Sequence, residues 1–121
     1  MSQTFPAACA IEVLQEPSCV RLNLRGDANL DAVDAVATAL EAVHTRAISG
    51  GYDRVTVDVT QLEFMNSTCF KKVLTWIGRV AAMVPPPYVI RFLSDPRIGW
   101  QKRSLHALEA FAASIVTVEK A

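Results

Sequence analysis

Charge of one sign is what this chain most plainly lacks. Across 121 residues, 12 Lys and Arg stand against 12 Asp and Glu, so no global field draws in nucleic acid or an anionic membrane. Cysteine and histidine are almost as scarce. The three cysteines, Cys9, Cys19 and Cys69, are odd in number and fit no metal-ligand spacing. With only His44 and His106 beside them, a zinc site would need unusual ligands, and neither a metal nor a cofactor is expected. Long apolar runs are missing too, since nothing approaches the ~18 residues of a membrane span. The short apolar stretch from Phe5 to Val13 has no positive segment before it and is broken by Glu12, which argues against a secretory leader. No glycine-rich phosphate loop and no nucleophile with a base is present, so an enzyme is not expected. What remains is one cytoplasmic domain over 1–121, with 1–10 loosely ordered.

The pattern that is present alternates strands with helices. Ile11 to Leu14 reads as a short strand closed by Glu16-Pro17-Ser18, and Cys19 to Leu24 alternates with Val20, Leu22 and Leu24 on one face. Gly26 to Asn29 breaks that strand, with Asn29 a candidate helix cap. Leu30, Val33, Val36, Leu40 and Val43 then form a helical stripe that Ser49-Gly50-Gly51 ends. Val55, Val57 and Val59 mark the next strand, and Thr60 to Met65 leads into a helix over about 67–83. Pro85-Pro86-Pro87 stops it before a strand from Tyr88 to Leu93. A third helix is expected from Trp100 to Ala112 and a last strand from Ile115 to Val118. The order ββαβαβαβ predicts an α/β fold: a mostly parallel sheet, edged by an antiparallel hairpin, with helices packed on it.

Three stretches carry a family resemblance: Val20 to Leu30, Val55 to Val59 with Leu62 to Met65, and Asn66-Ser67-Thr68-Cys69-Phe70. Together they resemble the STAS domain family, whose bacterial members include the anti-sigma factor antagonists, and the likeness runs from Val20 to the C-terminus. It implies the fold above and a signalling module working by partner switching. Carried over by position, Thr68 is the phospho-acceptor, Ser67 its neighbour, and Asn66 stands where the family usually has Asp. Cys69-Phe70 replaces the usual Gly-Leu, which marks a divergent branch. The resemblance also implies the partners: a serine/threonine kinase or anti-sigma-like regulator, and a phosphatase.

Each candidate has a plainer alternative. Ser67 and Thr68 suit ordinary helix capping as well as phosphorylation. Lys71 and Lys72 suit either a phosphate one turn away or a solvated helix face. Cys69 beside a helix start is either redox-sensitive or simply buried. Phe70, Val73, Leu74, Ile77 and Ala81 make a core face, and Trp76, Val80 and Met83 continue beside it. That second stripe is either buried under a neighbouring helix or a surface for a partner or a homodimer. Arg97, Trp100, Lys102 and Arg103 form a basic aromatic group suited to a protein contact, or to a helix start with Trp100 tucked against the core. The expected module binds protein, with neither nucleic acid nor membrane as partner. The alternative is a scaffold or dimerisation module of the same fold without the phospho-switch.

Overall fold

The computed structural model describes residues 9–121. β1 (Cys9–Gln15) and β2 (Val20–Ala28) form an antiparallel hairpin. β3 (Arg54–Met65), β4 (Val89–Ser94) and β5 (Val116–Lys120) follow β2 in parallel, giving a five-stranded sheet in the order β1-β2-β3-β4-β5. α1 (Val33–Gly50), α2 (Ser67–Ala82) and α3 (Gly99–Phe111) are the crossovers. Each crossover steps to the next strand in the same direction, and such connections are right-handed, so the three helices share one face of the sheet. Leu22, Leu40, Val57, Val73, Phe92 and Leu108 come from three strands and three helices, yet surround one void of ≈ 10 Å³. That space is far below the ~300 Å³ of a ligand cavity. The expected α/β class and element order are those observed.

Strand alternation divides the sheet into two faces. Val20, Leu22 and Leu24 are buried beneath the helices, while Arg21, Asn23 and Arg25 project from the opposite face. On that face Arg21 bridges to Asp58 at 2.6 Å and donates to Asn23 at 2.9 Å, and Asn23 donates to Glu12 at 3.1 Å. α1 ends where the glycines require, with Gly51 in the left-handed region at φ 68.

Several local expectations are corrected. β2 does not break at Gly26 but continues to Ala28, and Thr60 to Met65 is strand rather than a lead-in. The two extensions pair with each other through register shifts between Asn23 and Arg25 and between Gly26 and Asp27. Gly26, at φ 86, absorbs the irregularity. Leu30 leaves the core stripe: it opens the 3-10 turn Leu30–Ala32 and is 71% exposed. Asn29 makes no side-chain cap there. Ala81, expected in the core, is exposed on the last turn of α2. At the start of the chain, Cys9 and Ala10 are paired in β1 rather than loose, and the rest of that stretch lies outside the described residues.

Candidate functional site

The strand-to-helix junction at Asn66 is built by backbone geometry. Met65 pairs with Ala28 at the carboxyl end of the sheet, and the Asn66 amide donates to the Ala28 carbonyl at 2.9 Å. Asn66 is extended, at φ −73 and ψ 166, and its side-chain oxygen accepts from the Cys69 amide at 2.8 Å. Asn66 is therefore the cap of α2, and Ser67 and Thr68 are its first two helical residues. Neither hydroxyl is spent on the cap, which corrects the capping reading for both. Ser67 is exposed and Thr68 half-buried. The first amides of a helix lack intrahelical partners, and the dipole there favours an anion. Lys71 and Lys72 are exposed one turn on, at helical spacing from Ser67 and Thr68.

Cys69 resolves in favour of its plainer reading. It is buried, its thiol donates to the Asn29 carbonyl at 3.5 Å, and burial, reinforced by the charge of Asp31, pushes its pKa up. A thiol held protonated is a poor nucleophile.

Around this junction the carboxyl end of the sheet forms a rim that local pattern did not reveal. Phe64 is 45% exposed, and its strand partner is the exposed Asp27. With Leu30, Asp31 and Glu63, also exposed, they make an apolar and acidic surface. The only signal for it was the β2–β3 extension, which carries Phe64 past the core.

Trp76 lies elsewhere than a docking stripe would need. It is 5% exposed, and its indole N–H donates to the Tyr88 hydroxyl at 2.9 Å. That hydroxyl also lies 2.7 Å from Nδ1 of His44, on α1. The Tyr88 hydroxyl thus accepts from Trp76 and is hydrogen-bonded to His44. Burial pushes Tyr88 up to about 12 and holds His44 below its ordinary value. Of that stripe Trp76 and Val80 are buried and Met83 is exposed, and Trp76 is withdrawn from the partner surface. His44 is likewise a core residue, whereas His106 is exposed.

The opening of α3 also has a structural task. β3 stops pairing with β4 after Asp58, which leaves later β3 residues without a partner on the β4 side. Gln101, fully buried, donates to the Val59 carbonyl at 2.5 Å and the Leu62 carbonyl at 3.1 Å, and accepts from the Asp95 amide at 2.9 Å. Trp100, half-buried, adds a bond from its indole N–H to Leu62 at 2.9 Å. Sequence reasoning missed Gln101, since nothing local marks a glutamine as a clamp on a strand forty residues earlier. Arg97 is bound to Asp95 by its side chain and its amide, and this pulls the Asp95 carboxyl down to about 2. Lys102, Arg103 and His106 are exposed beside a shallow depression of ≈ 730 Å³ that Trp100 also lines.

The junction, the acidic rim and the opening of α3 thus gather at one end of the molecule, while Trp76 is buried in its interior. Among the described residues no cluster of His, Cys, Asp or Glu could hold a metal ion, and no helix is long and apolar enough to cross a membrane. No protein-family profile matches the sequence, and no curated protein matches it. Solved structures do. An anti-sigma factor antagonist from Mycobacterium paratuberculosis is similar at a TM-score of 0.65 and 13% identity, over 89% of this chain and 86% of that one. The Bacillus cell fate determinant SpoIIAA, in its phosphorylated form, is similar at 0.61 and 16%, over 91% of both chains. A DUF3478 protein with a SpoIIAA-like fold from Shewanella loihica is similar at 0.59 and 12%, over 98% of this chain and 90% of that one. At these identities the likeness is one of fold: this chain has the fold of the anti-sigma factor antagonists.

Proposed function

We propose that the chain is a non-enzymatic, cytoplasmic signalling module that binds a protein partner, a serine/threonine kinase or anti-sigma-like regulator, and releases it when Thr68 is phosphorylated. A phosphatase resets the module. The observation that carries this reading is the Asn66 cap, which leaves the Ser67 and Thr68 hydroxyls uncommitted at a helix start that favours an anion. The fold likeness to anti-sigma factor antagonists supports it, as does the phosphorylated state of the similar Bacillus protein. A phosphate adds about 1.5–2 negative charges. Inside a dry contact that charge would lose its water without gaining a partner, and the interface would open. In the free module the α2 amides and Lys71 stabilise the same phosphate. Asn66, Lys71, Lys72, Arg97, Trp100 and Arg103 frame the contact.

One observation favours a second reading, a constitutive scaffold of the same fold. Thr68 is half-buried, which narrows a kinase's approach to its hydroxyl, and only Ser67 is fully open. Intact-mass and tandem mass spectrometry of the protein purified from its own host separates the two. Phosphate on Thr68, or on Ser67, is the expected result. A chain that stays unmodified across growth conditions would overturn the switch and leave the scaffold.

A further inference from the structure

Two patches of opposite charge lie side by side at the carboxyl end of the sheet. The first is the rim, where Asp27 pairs with Phe64 across β2 and β3 and the exposed Leu30, Asp31 and Glu63 stand at the same strand ends and the turn that follows. The second is the depression on α3, where Lys102, Arg103 and His106 flank Trp100. They adjoin, because the Trp100 indole is bonded to Leu62, the residue before Glu63. Neither patch is neutralised from within: among the described residues, none of Asp27, Asp31, Glu63, Lys102 and Arg103 enters an ion pair.

The basic patch also runs against its own helix. Lys102 and Arg103 follow closely on the start of α3, whose first turn holds no acid. Cations near a helix N-terminus are disfavoured by the dipole. Lys102 shares a second depression with Asp95 and Glu109 but pairs with neither, which leaves both cations open to acids of another surface. The chain as a whole is neutral, and acids of this kind stand exposed on its own neighbouring rim. A surface with complementary halves set side by side matches a copy of itself across a twofold axis.

We propose that this end of the molecule is the face of a twofold homodimer, the acidic apolar rim of each copy seated on the basic depression of the other. Leu30 and Phe64 leave water against the partner's depression, and the acids meet the partner's Lys102 and Arg103. Charged contacts at a solvent-exposed margin weaken as salt rises. The dimer stands independently of any modification of Thr68. It would nonetheless cover the approach to Ser67 on the same rim, so that self-association and another partner compete.

Sedimentation velocity on the full chain, up to about 1 mM protein and between about 50 mM and 500 mM salt, tests this. A dimer is expected at low salt, with association weakened about tenfold or more at high salt. Two charge-reversed variants sharpen the result: Lys102→Glu with Arg103→Glu, and Asp31→Lys with Glu63→Lys. All four positions are exposed, and the thermal melt by circular dichroism confirms that each variant is folded. Each variant alone should be a monomer, and an equal mixture should recover the dimer, because one half then pairs a basic rim with an acidic depression while the other keeps the original acidic rim on a basic depression. A monomeric wild type at low salt, species larger than a dimer, a dimer indifferent to either reversal, or a mixture that stays monomeric would each overturn the proposal.

Discussion

Two stretches of α2 differ in what depends on them. At its first turn, Ser67 is open and Thr68 half-open, and the cap is made by the preceding Asn66. In its middle, Trp76 is bonded to Tyr88, which is bonded to His44, so that α1, α2 and the residue just before β4 meet at one buried hydroxyl. The middle is built so that no member can change alone, because each polar group satisfies another out of reach of water. The first turn leaves both hydroxyls outside its capping bond. A module that is to be written on needs both: a surface indifferent to modification and a core that holds the surface in shape.

The comparison breaks most visibly at Trp76. Trp76→Ala empties a buried indole site and strands the Tyr88 hydroxyl, and about 3–5 kcal/mol of stability should be lost. Tyr88→Phe keeps the volume but leaves the Trp76 N–H and the His44 nitrogen unsatisfied, and should lose about 1–3 kcal/mol. Urea melts of both variants check this. A Tyr88→Phe melt identical to wild type would mean that the hydroxyl is not a structural centre.

Why the sequence left Trp76 open between burial and docking is a matter of range. The strands were legible because alternation is local: Val20, Leu22 and Leu24 show their face within five residues, and all three are buried. Helix ends were legible for the same reason, since Gly51 and the proline run act on their own backbone. The Trp76 stripe looked the same buried or exposed, because the residues that cover it, His44 and Tyr88, are distant in sequence. Leu30 failed in the opposite direction: it kept helical spacing, but the chain spends that position on a 3-10 turn. At the candidate site, the positions of Asn66, Ser67 and Thr68 were legible. The division of labour among them was not, because a cap is identified only by which amide its oxygen reaches.

The buried centre should also answer to pH. His44 is held below its ordinary pKa first by burial and then by Arg79, with Glu41 opposing. Its unfolded value is about 6.5, so below that pH the unfolded chain takes up the proton more readily than the folded one. The stability that His44 contributes is therefore complete above about pH 6.5 and falls as the pH drops toward the folded pKa. His44→Gln keeps a polar partner for Tyr88 without the titration. The wild type should lose stability between about pH 7 and pH 5 more steeply than this variant. Parallel slopes would remove His44 as the source.

Moving to the first turn, effects shrink. Asn66→Ala removes the acceptor for the Cys69 amide and should lose about 1 kcal/mol. Asn66→Asp keeps the acceptor and adds a charge that the dipole favours, so it should match or slightly exceed the wild type. If both variants melt alike, the bond from Asn66 to Cys69 contributes nothing.

The smallest effect on stability belongs to Thr68. Thr68→Glu puts a carboxylate in the first turn of α2, where the helix dipole stabilises negative charge by about 0.3–1 kcal/mol. Against that stands the loss of the half-buried threonine methyl, of similar size. The two terms oppose each other, and the melt should stay within about 0.5 kcal/mol of wild type. That near-neutrality is what a writable position requires, because a charge that unfolded the domain would destroy the module instead of switching it. Thr68→Leu, equally uncharged but larger, tests the steric half: a loss above about 1 kcal/mol would show that the half-buried pocket tolerates charge better than bulk. A loss of several kcal/mol for Thr68→Glu would instead put Thr68 with Trp76, among the residues that hold the fold, and Ser67 would become the sole open acceptor at this helix start.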